Sequence, residues 1–182
     1  MRQLMEIAED ARRVKHAVAA LGTNDKNRGL LAIADALLAH ADEIIAANQI
    51  DIENGRASGL NEGLIDRLTL DNKRIAGIAE GCRQVAALPD PIGEVLWMRK
   101  TPNGLNIGEK RVPMGVIGII YEARPNVTVD AAALCFKAGS ACILRGGKEA
   151  IHSNTAILDC MAEAACAAGL PSGAMQLVRD TS

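Results

Sequence analysis

Between residues 113 and 150 the chain reads PMGVIGIIYEARPNVTVDAAALCFKAGSACILRGGKEA, and this stretch constrains the fold more than any other. Val116 to Tyr121 is a short apolar run after a glycine, the pattern of a buried parallel strand. A polar turn, Glu122-Ala-Arg-Pro-Asn126, follows it. Val127 to Lys137 is rich in Ala and Leu and predicts a packed helix, with Gly139 placed where a helix stops. Ala141 to Leu144 predicts a second apolar strand. It runs directly into Arg145-Gly146-Gly147-Lys148, after which an Ala-rich helix continues to about Ala168. Strand, helix, strand, helix is the grammar of a parallel sheet, and such sheets bind ligands beyond the carboxyl ends of their strands. Two glycines there let a ligand approach the backbone or allow a positive φ, and the two cations suit a phosphate. The Gly-x-Gly-x-x-Gly fingerprint, which would put a pyrophosphate on the helix N-terminus, is absent.

The remaining chain adds two further blocks. Residues 1–93 read as helical, with Leu4, Ile7, Ala8, Ala11, Val14, Ala17, Val18 and Leu21 at helical spacing. Asn24 or Asp25 is expected to cap a second helix that buries Leu30, Leu31, Ile33, Ala34, Leu37 and Leu38. A third is expected from about Asp42 to Asn54, ended by Gly55, and a fourth to be capped by Asp71. Residues 94–112 predict an extended ribbon around the turn Pro102-Asn-Gly104. Residues 113–182 form the α/β core, with Met175 to Val178 as a third strand.

Composition narrows the function. Twenty basic and 22 acidic residues give a net charge of −2, with one Trp, one Tyr and one Phe. Nucleic acid lacks both its electrostatic footprint and its stacking platform. No apolar run is long enough for a membrane span, and the charged N-terminus does not read as a signal peptide. The cysteines, Cys82, Cys135, Cys142, Cys160 and Cys166, are odd in number and lack a Cys-x-x-Cys spacing. They read as free, buried thiols in a reducing, cytoplasmic compartment. His16, His40 and His152 are isolated and predict no metal site.

The run at 113–150 resembles the nucleotide-binding domain of the aldehyde dehydrogenase superfamily, and the likeness extends more weakly over nearly the whole chain. Its wording looks like the branch of proline biosynthesis that reduces γ-glutamyl phosphate to glutamate 5-semialdehyde with NADPH. The resemblance implies an α/β, aldehyde-dehydrogenase-like nucleotide-binding domain with a helical N-terminal segment and a protruding β-ribbon that serves oligomerisation. It implies a thioester mechanism whose nucleophilic cysteine lies in a catalytic domain beyond residue 182, so this chain is expected to be inactive alone. It implies a homo-oligomer and, by family analogy, glutamate 5-kinase as a partner.

Site residues follow from the same likeness. Where the superfamily commonly reads Lys-Pro-Ser-Glu, this chain has Arg145-Gly146-Gly147-Lys148. A carboxylate there would repel a 2′-phosphate and an ammonium attracts it, so NADP is expected over NAD. The superfamily's oxyanion asparagine follows the first strand. Asn126 is the candidate, two residues later than the usual spacing, and Arg124 stands at the ungapped position. Arg124 is expected to clamp the acyl phosphate or the substrate carboxylate. The plainer readings stay open: Asn126 as a helix N-cap, and Arg145 and Lys148 as solvated surface charges. Two other functions remain, an NAD-dependent oxidation of a free aldehyde and a catalytically silent binding or oligomerisation module.

Overall fold

A computed structural model describes residues 4–181. Five helices come first: α1 (Leu4–Ala19), α2 (Thr23–Ala39), α3 (Ala41–Ala57), α4 (Glu62–Leu68) and α5 (Asn72–Ala87). A hairpin of β1 (Val95–Lys100) and β2 (Asn106–Lys110) follows. The α/β part comprises β3 (Val116–Ile120), α6 (Pro125–Lys137), β4 (Ala141–Arg145), a 3₁₀ turn (Lys148–Ala150), α7 (Ile151–Ala167) and β5 (Met175–Leu177).

The three core strands are parallel in the order β3-β4-β5. Right-handed crossovers put α6 and α7 on one face of that sheet, and α1 packs across all three strands. Helices α2, α3 and α5 build on α6 and α7. The helical block and the α/β part share their main core. Val18, Leu30, Ile33 and Ile75 share one apolar cluster with Val129, Phe136, Leu144 and Ile157.

Several local expectations hold for identifiable reasons. Asp71 accepts the Arg74 N–H at 2.6 Å and so caps α5. Gly139, at φ +67°, ends α6. The ribbon is an antiparallel hairpin with a register shift between Val95 and Trp97, and every residue of both strands is exposed.

Others are corrected. Helix α2 begins at Thr23, with Gly22 at the N-cap, so Asn24 and Asp25 lie inside its first turn. Gly55 does not end α3. It is buried within the helix, because a Cβ would stand only 3.0 and 3.1 Å from Leu60 and Ile65, and the left-handed turn comes at Gly59 instead. Helix α4 is short, capped by Asn61, and too brief to show a period. Leu31 and Leu38 are exposed, because the buried stripe of α2 runs through Lys26, Gly29, Leu30, Ile33, Ala34 and Leu37 instead. Among the described strands β3 pairs on one side only, with β4, and its Ile120 is 81% exposed. Cys166 is exposed and Cys160 half-buried, against the expectation of five buried thiols.

The hairpin's base is anchored by a buried ion pair. Lys26, 1% exposed, donates to both oxygens of Asp90 at 3.0 and 2.9 Å. Thr23 Oγ1 and the Ile92 N–H also donate to that carboxylate. Burial alone would raise the Asp90 pKa, but hydrogen bonds from Lys26, Ile92 and Thr23 bring it below the ordinary 3.8. Lys137 lies alongside, donating to Asn27 Oδ1 at 2.6 Å and the Ala86 carbonyl at 2.8 Å. Removing one partner of a buried pair strands the other charge, so Asp90→Ala is expected to cost about 3 kcal/mol in urea unfolding followed by far-UV circular dichroism. The folded-state pKa is depressed, so the pair's contribution is complete above pH 3.8 and is lost as pH falls through the folded value. Below pH 3.8, stability should drop more steeply in the wild type than in Asp90→Ala.

Candidate functional site

Two turns meet at the carboxyl ends of adjacent strands. Ile120 is in register with Arg145, and the Tyr121 N–H donates to the Arg145 carbonyl at 3.0 Å. The chain after β3 carries Arg124 and Asn126, and the chain after β4 carries Gly146, Gly147 and Lys148. All six sequence candidates therefore lie on one end of the sheet.

The two glycines are needed for a reason the sequence does not disclose. Neither has a positive φ. Instead, the two turns pack so closely that side chains do not fit between them. A Cβ on Gly146 would stand 2.2 Å from Asn154 Nδ2 and 3.1 Å from the Tyr121 ring. One on Gly147 would stand 3.1 Å from the Ala123 amide nitrogen and 2.7 Å from Glu149 Oε2.

A buried polar chain holds those neighbours still. Thr128 Oγ1 donates its single hydrogen to Asn154 Oδ1 at 2.9 Å, so the 2.6 Å contact with Tyr121 has the phenol as donor. Burial raises the Tyr121 pKa above its ordinary 10.0, although the Thr128 hydrogen bond opposes the shift. Asn154 Nδ2, facing Gly146, has no hydrogen-bond partner among the described residues.

The N-terminus of α7 is occupied by a side chain that sequence reasoning missed. Asp51 of α3, 2% exposed, accepts from the His152 N–H at 3.2 Å, the Ser153 N–H at 2.7 Å and Ser153 Oγ at 2.6 Å. A carboxylate already there excludes a pyrophosphate from this helix end, in agreement with the missing glycine fingerprint. A cleft of about 360 Å³ opens beside it, lined by Asn54, Ser58, Lys148, Glu149 and His152. Lys148 is exposed and has no hydrogen-bond or ion-pair partner among the described residues. Its ammonium, the Ser58 hydroxyl and the Asn54 amide offer hydrogen-bond donors in this cleft, and the Glu149 carboxylate offers an acceptor.

A second groove, of about 400 Å³, holds Arg124 and Asn126. The N-cap of α6 is Arg124, Pro125 is its first residue, and no side chain bonds the cap. Asn126 thus lies inside the helix and is not the cap. Its Nδ2 donates to Asp130 Oδ2 at 3.3 Å, one helical turn on. The two grooves have no lining residue in common, so Lys148 and Arg124 do not share a pocket.

No cysteine lines either groove. Cys82 approaches Asp130 from inside the core, its pKa pushed up to about 12 by burial and then by the Asp130 charge. Cys135 and Cys142 hydrogen-bond one another. Cys135 opens on an apolar pocket with Met114 and Ser140, at the amino-terminal end of the strands and away from both turns. Among the described residues no cluster of His, Cys, Asp and Glu could hold a metal ion, and no helix is long and apolar enough to cross a membrane.

Comparison with known proteins gives concordant results. Residues 2–182 match the aldehyde dehydrogenase family. The chain is 55% identical over 179 residues to a gamma-glutamyl phosphate reductase of Clostridium novyi, covering 98% of this chain and 43% of that protein. The crystal structure of gamma-glutamyl phosphate reductase from Thermotoga maritima superposes with a TM-score of 0.96 at 39% identity, over 100% of this chain and 44% of that one. That from Saccharomyces cerevisiae gives 0.90 at 31% identity, over 100% and 47%. The chain thus spans less than half the length of these relatives.

Gly146→Ala is expected to force Asn154 and Tyr121 from their hydrogen-bonded positions. The expected cost is about 1–3 kcal/mol of stability in thermal unfolding, with weaker dinucleotide binding by calorimetry. An unchanged melting temperature would show that the turn has room to spare.

Proposed function

We propose that this chain, which belongs to the aldehyde dehydrogenase family, is the N-terminal, cofactor-binding portion of a cytoplasmic enzyme of proline biosynthesis. That enzyme reduces L-glutamyl 5-phosphate to L-glutamate 5-semialdehyde and phosphate. The observation that carries the reading is the meeting of the two turns, Arg124 to Asn126 and Arg145 to Lys148, at the carboxyl ends of β3 and β4. The likeness to reductases of that name supports it.

The cofactor implied by the family is a nicotinamide nucleotide, which supplies hydride when bound. Lys148 and Arg145 hold its adenosine ribose, and Lys148 selects the 2′-phosphate of NADPH by charge. The polar cleft beside Lys148 supports that assignment. The Lys148 charge also disfavours the alternative of NAD-dependent oxidation of a free aldehyde.

Asn126 presents an amide donor to the oxygen that gains charge as the acyl group is attacked. Its bond to Asp130 orients the amide and leaves the second N–H for substrate. Arg124 neutralises a substrate anion beside it. The nucleophilic cysteine is not among the five here, because none lies in the groove. The exposed hairpin, with Trp97, Met98 and Ile107 in solvent, is assigned to contact between subunits. Glutamate 5-kinase, by family analogy, is the partner that supplies the acyl phosphate.

Two experiments test this reading. NADPH should bind the chain more tightly than NADH. Lys148→Glu should weaken NADPH by roughly 1.5–3 kcal/mol and NADH far less, because a charge-assisted contact becomes a repulsion. Equal losses would make Lys148 a residue of the fold. In an intact reductase carrying this segment, Asn126→Ala should lower kcat by roughly a hundredfold with little change in KM, and Arg124→Ala should raise KM. Asn126 caps no helix, so its loss should cost only about 0.2–0.5 kcal/mol of stability through the Asp130 contact. An intact kcat would remove Asn126 from the mechanism.

A further inference from the structure

The groove beside Asn126 contains more charge than that proposed mechanism uses. It is walled by the end of α4, the loop to α5, and the first turns of α6. Three guanidiniums line it, and they are not equivalent. Arg74 is held by three hydrogen bonds. It donates to the Thr69 carbonyl at 2.7 Å, to the Asp66 carbonyl, and to Asp66 Oδ1 at 2.6 Å. Its role is to fasten the loop. Arg67 and Arg124 are exposed, and neither guanidinium has a hydrogen-bond or ion-pair partner among the described residues.

Two carboxylates share the groove with them: Asp66 is taken by Arg74, and Asp130 is not. Among the described residues the carboxylate of Asp130 has a single hydrogen-bond partner, the Asn126 amide at 3.3 Å. Burial raises its pKa, with the Asn126 bond opposing. It is a carboxylate short of cationic compensation, in the same groove as two cations free to accept an anion.

We propose that this groove reads the α-amino-acid head of the substrate, with Arg67 and Arg124 taking the α-carboxylate and Asp130 taking the α-ammonium. The proposal rests on the glutamyl phosphate reading above and assigns the residues that recognise one end of that substrate. Electrostatics exclude the simpler occupants. A bare phosphate would satisfy the arginines but meet repulsion from Asp130. An uncharged aldehyde would leave all three groups without counter-charges once water is displaced. A zwitterion matches both signs. A planar carboxylate also suits guanidinium, which can bind it through two parallel hydrogen bonds.

The test is a titration of this chain with L-glutamate, glutarate, 4-aminobutyrate and inorganic phosphate, read from the backbone amide shifts of residues 66–70 and 124–130. Glutarate lacks the ammonium, and 4-aminobutyrate lacks the α-carboxylate. L-Glutamate is expected to bind at those amides about tenfold or more tightly than each of the others. Arg67→Gln should weaken it about tenfold while leaving NADPH binding as it was. Asp130→Asn should reduce L-glutamate to the level of glutarate. Both side chains reach the solvent, and Arg67 makes no bond whose loss would unfold the chain.

The proposal is overturned if glutarate or phosphate binds as well as L-glutamate, if the shifts appear elsewhere, or if Arg67→Gln changes nothing. The cofactor titration separates this failure from that of the functional reading. A chain that binds NADPH but is indifferent to the amino-acid head rejects the groove alone. A chain that distinguishes the head but favours NADH rejects the cofactor assignment and leaves the groove standing.

Discussion

The site depends on a knot of three buried polar side chains, Asn48, Asp51 and Ser153, exposed by 0%, 2% and 0%. Asn48 donates to the Leu68 carbonyl and to Ser153 Oγ, each within 2.9 Å, and accepts from the Leu70 N–H at 2.7 Å. Ser153 donates in turn to Asp51, which caps α7. Such groups are costly to bury singly and stabilising only when all are satisfied. Here one helix, α3, supplies two of them and reaches two segments distant in sequence. The first is the loop at 68–70, which carries one wall of the groove at Asn126. The second is the start of α7, which carries the cleft at Lys148. The two halves of the candidate site are thereby referred to a common support rather than to each other.

The turns show a related division of labour. Gly146 and Gly147 are small so that the chain after β4 can lie against the chain after β3. Arg145 and Lys148 flank them with charge. Packing thus explains the middle of that turn, and cofactor chemistry its two ends. The ion pair of Lys26 with Asp90 plays a comparable supporting part at the opposite end, where the hairpin leaves the core.

Much of this could be read from the sequence, and the exceptions have physical causes. The strands and helices between 113 and 150 are legible because each apolar run is bounded by a glycine or a charged turn. Asp71 is legible as a cap because it precedes a regular stripe. Burial is less so. Gly55 has the appearance of a helix stop, although its real constraint is the approach of Leu60 and Ile65. Arg124 and Asn126 can be found because they follow a strand. Arg67 and Asp130 cannot, because they join the groove only through tertiary packing. Asn48 and Asp51 do leave a signal. They fall on the stripe of α3 that also carries Ile44, Ile52 and Gly55. Polar residues on a buried face need partners there.

The hairpin has a practical consequence for measurement. Trp97, the single tryptophan of the sequence, stands on it with its indole nitrogen donating to Glu109 at 2.8 Å and the Arg99 guanidinium 5.6 Å from its ring. The chain's tryptophan emission therefore originates outside the core, from a ring 43% exposed beside a carboxylate and a cation. Its colour and intensity report the surroundings of the ribbon rather than the packing of the core. Melting of the helices and of the parallel sheet can proceed with little change in that light, so a fluorescence trace and a circular dichroism trace of this protein describe different events.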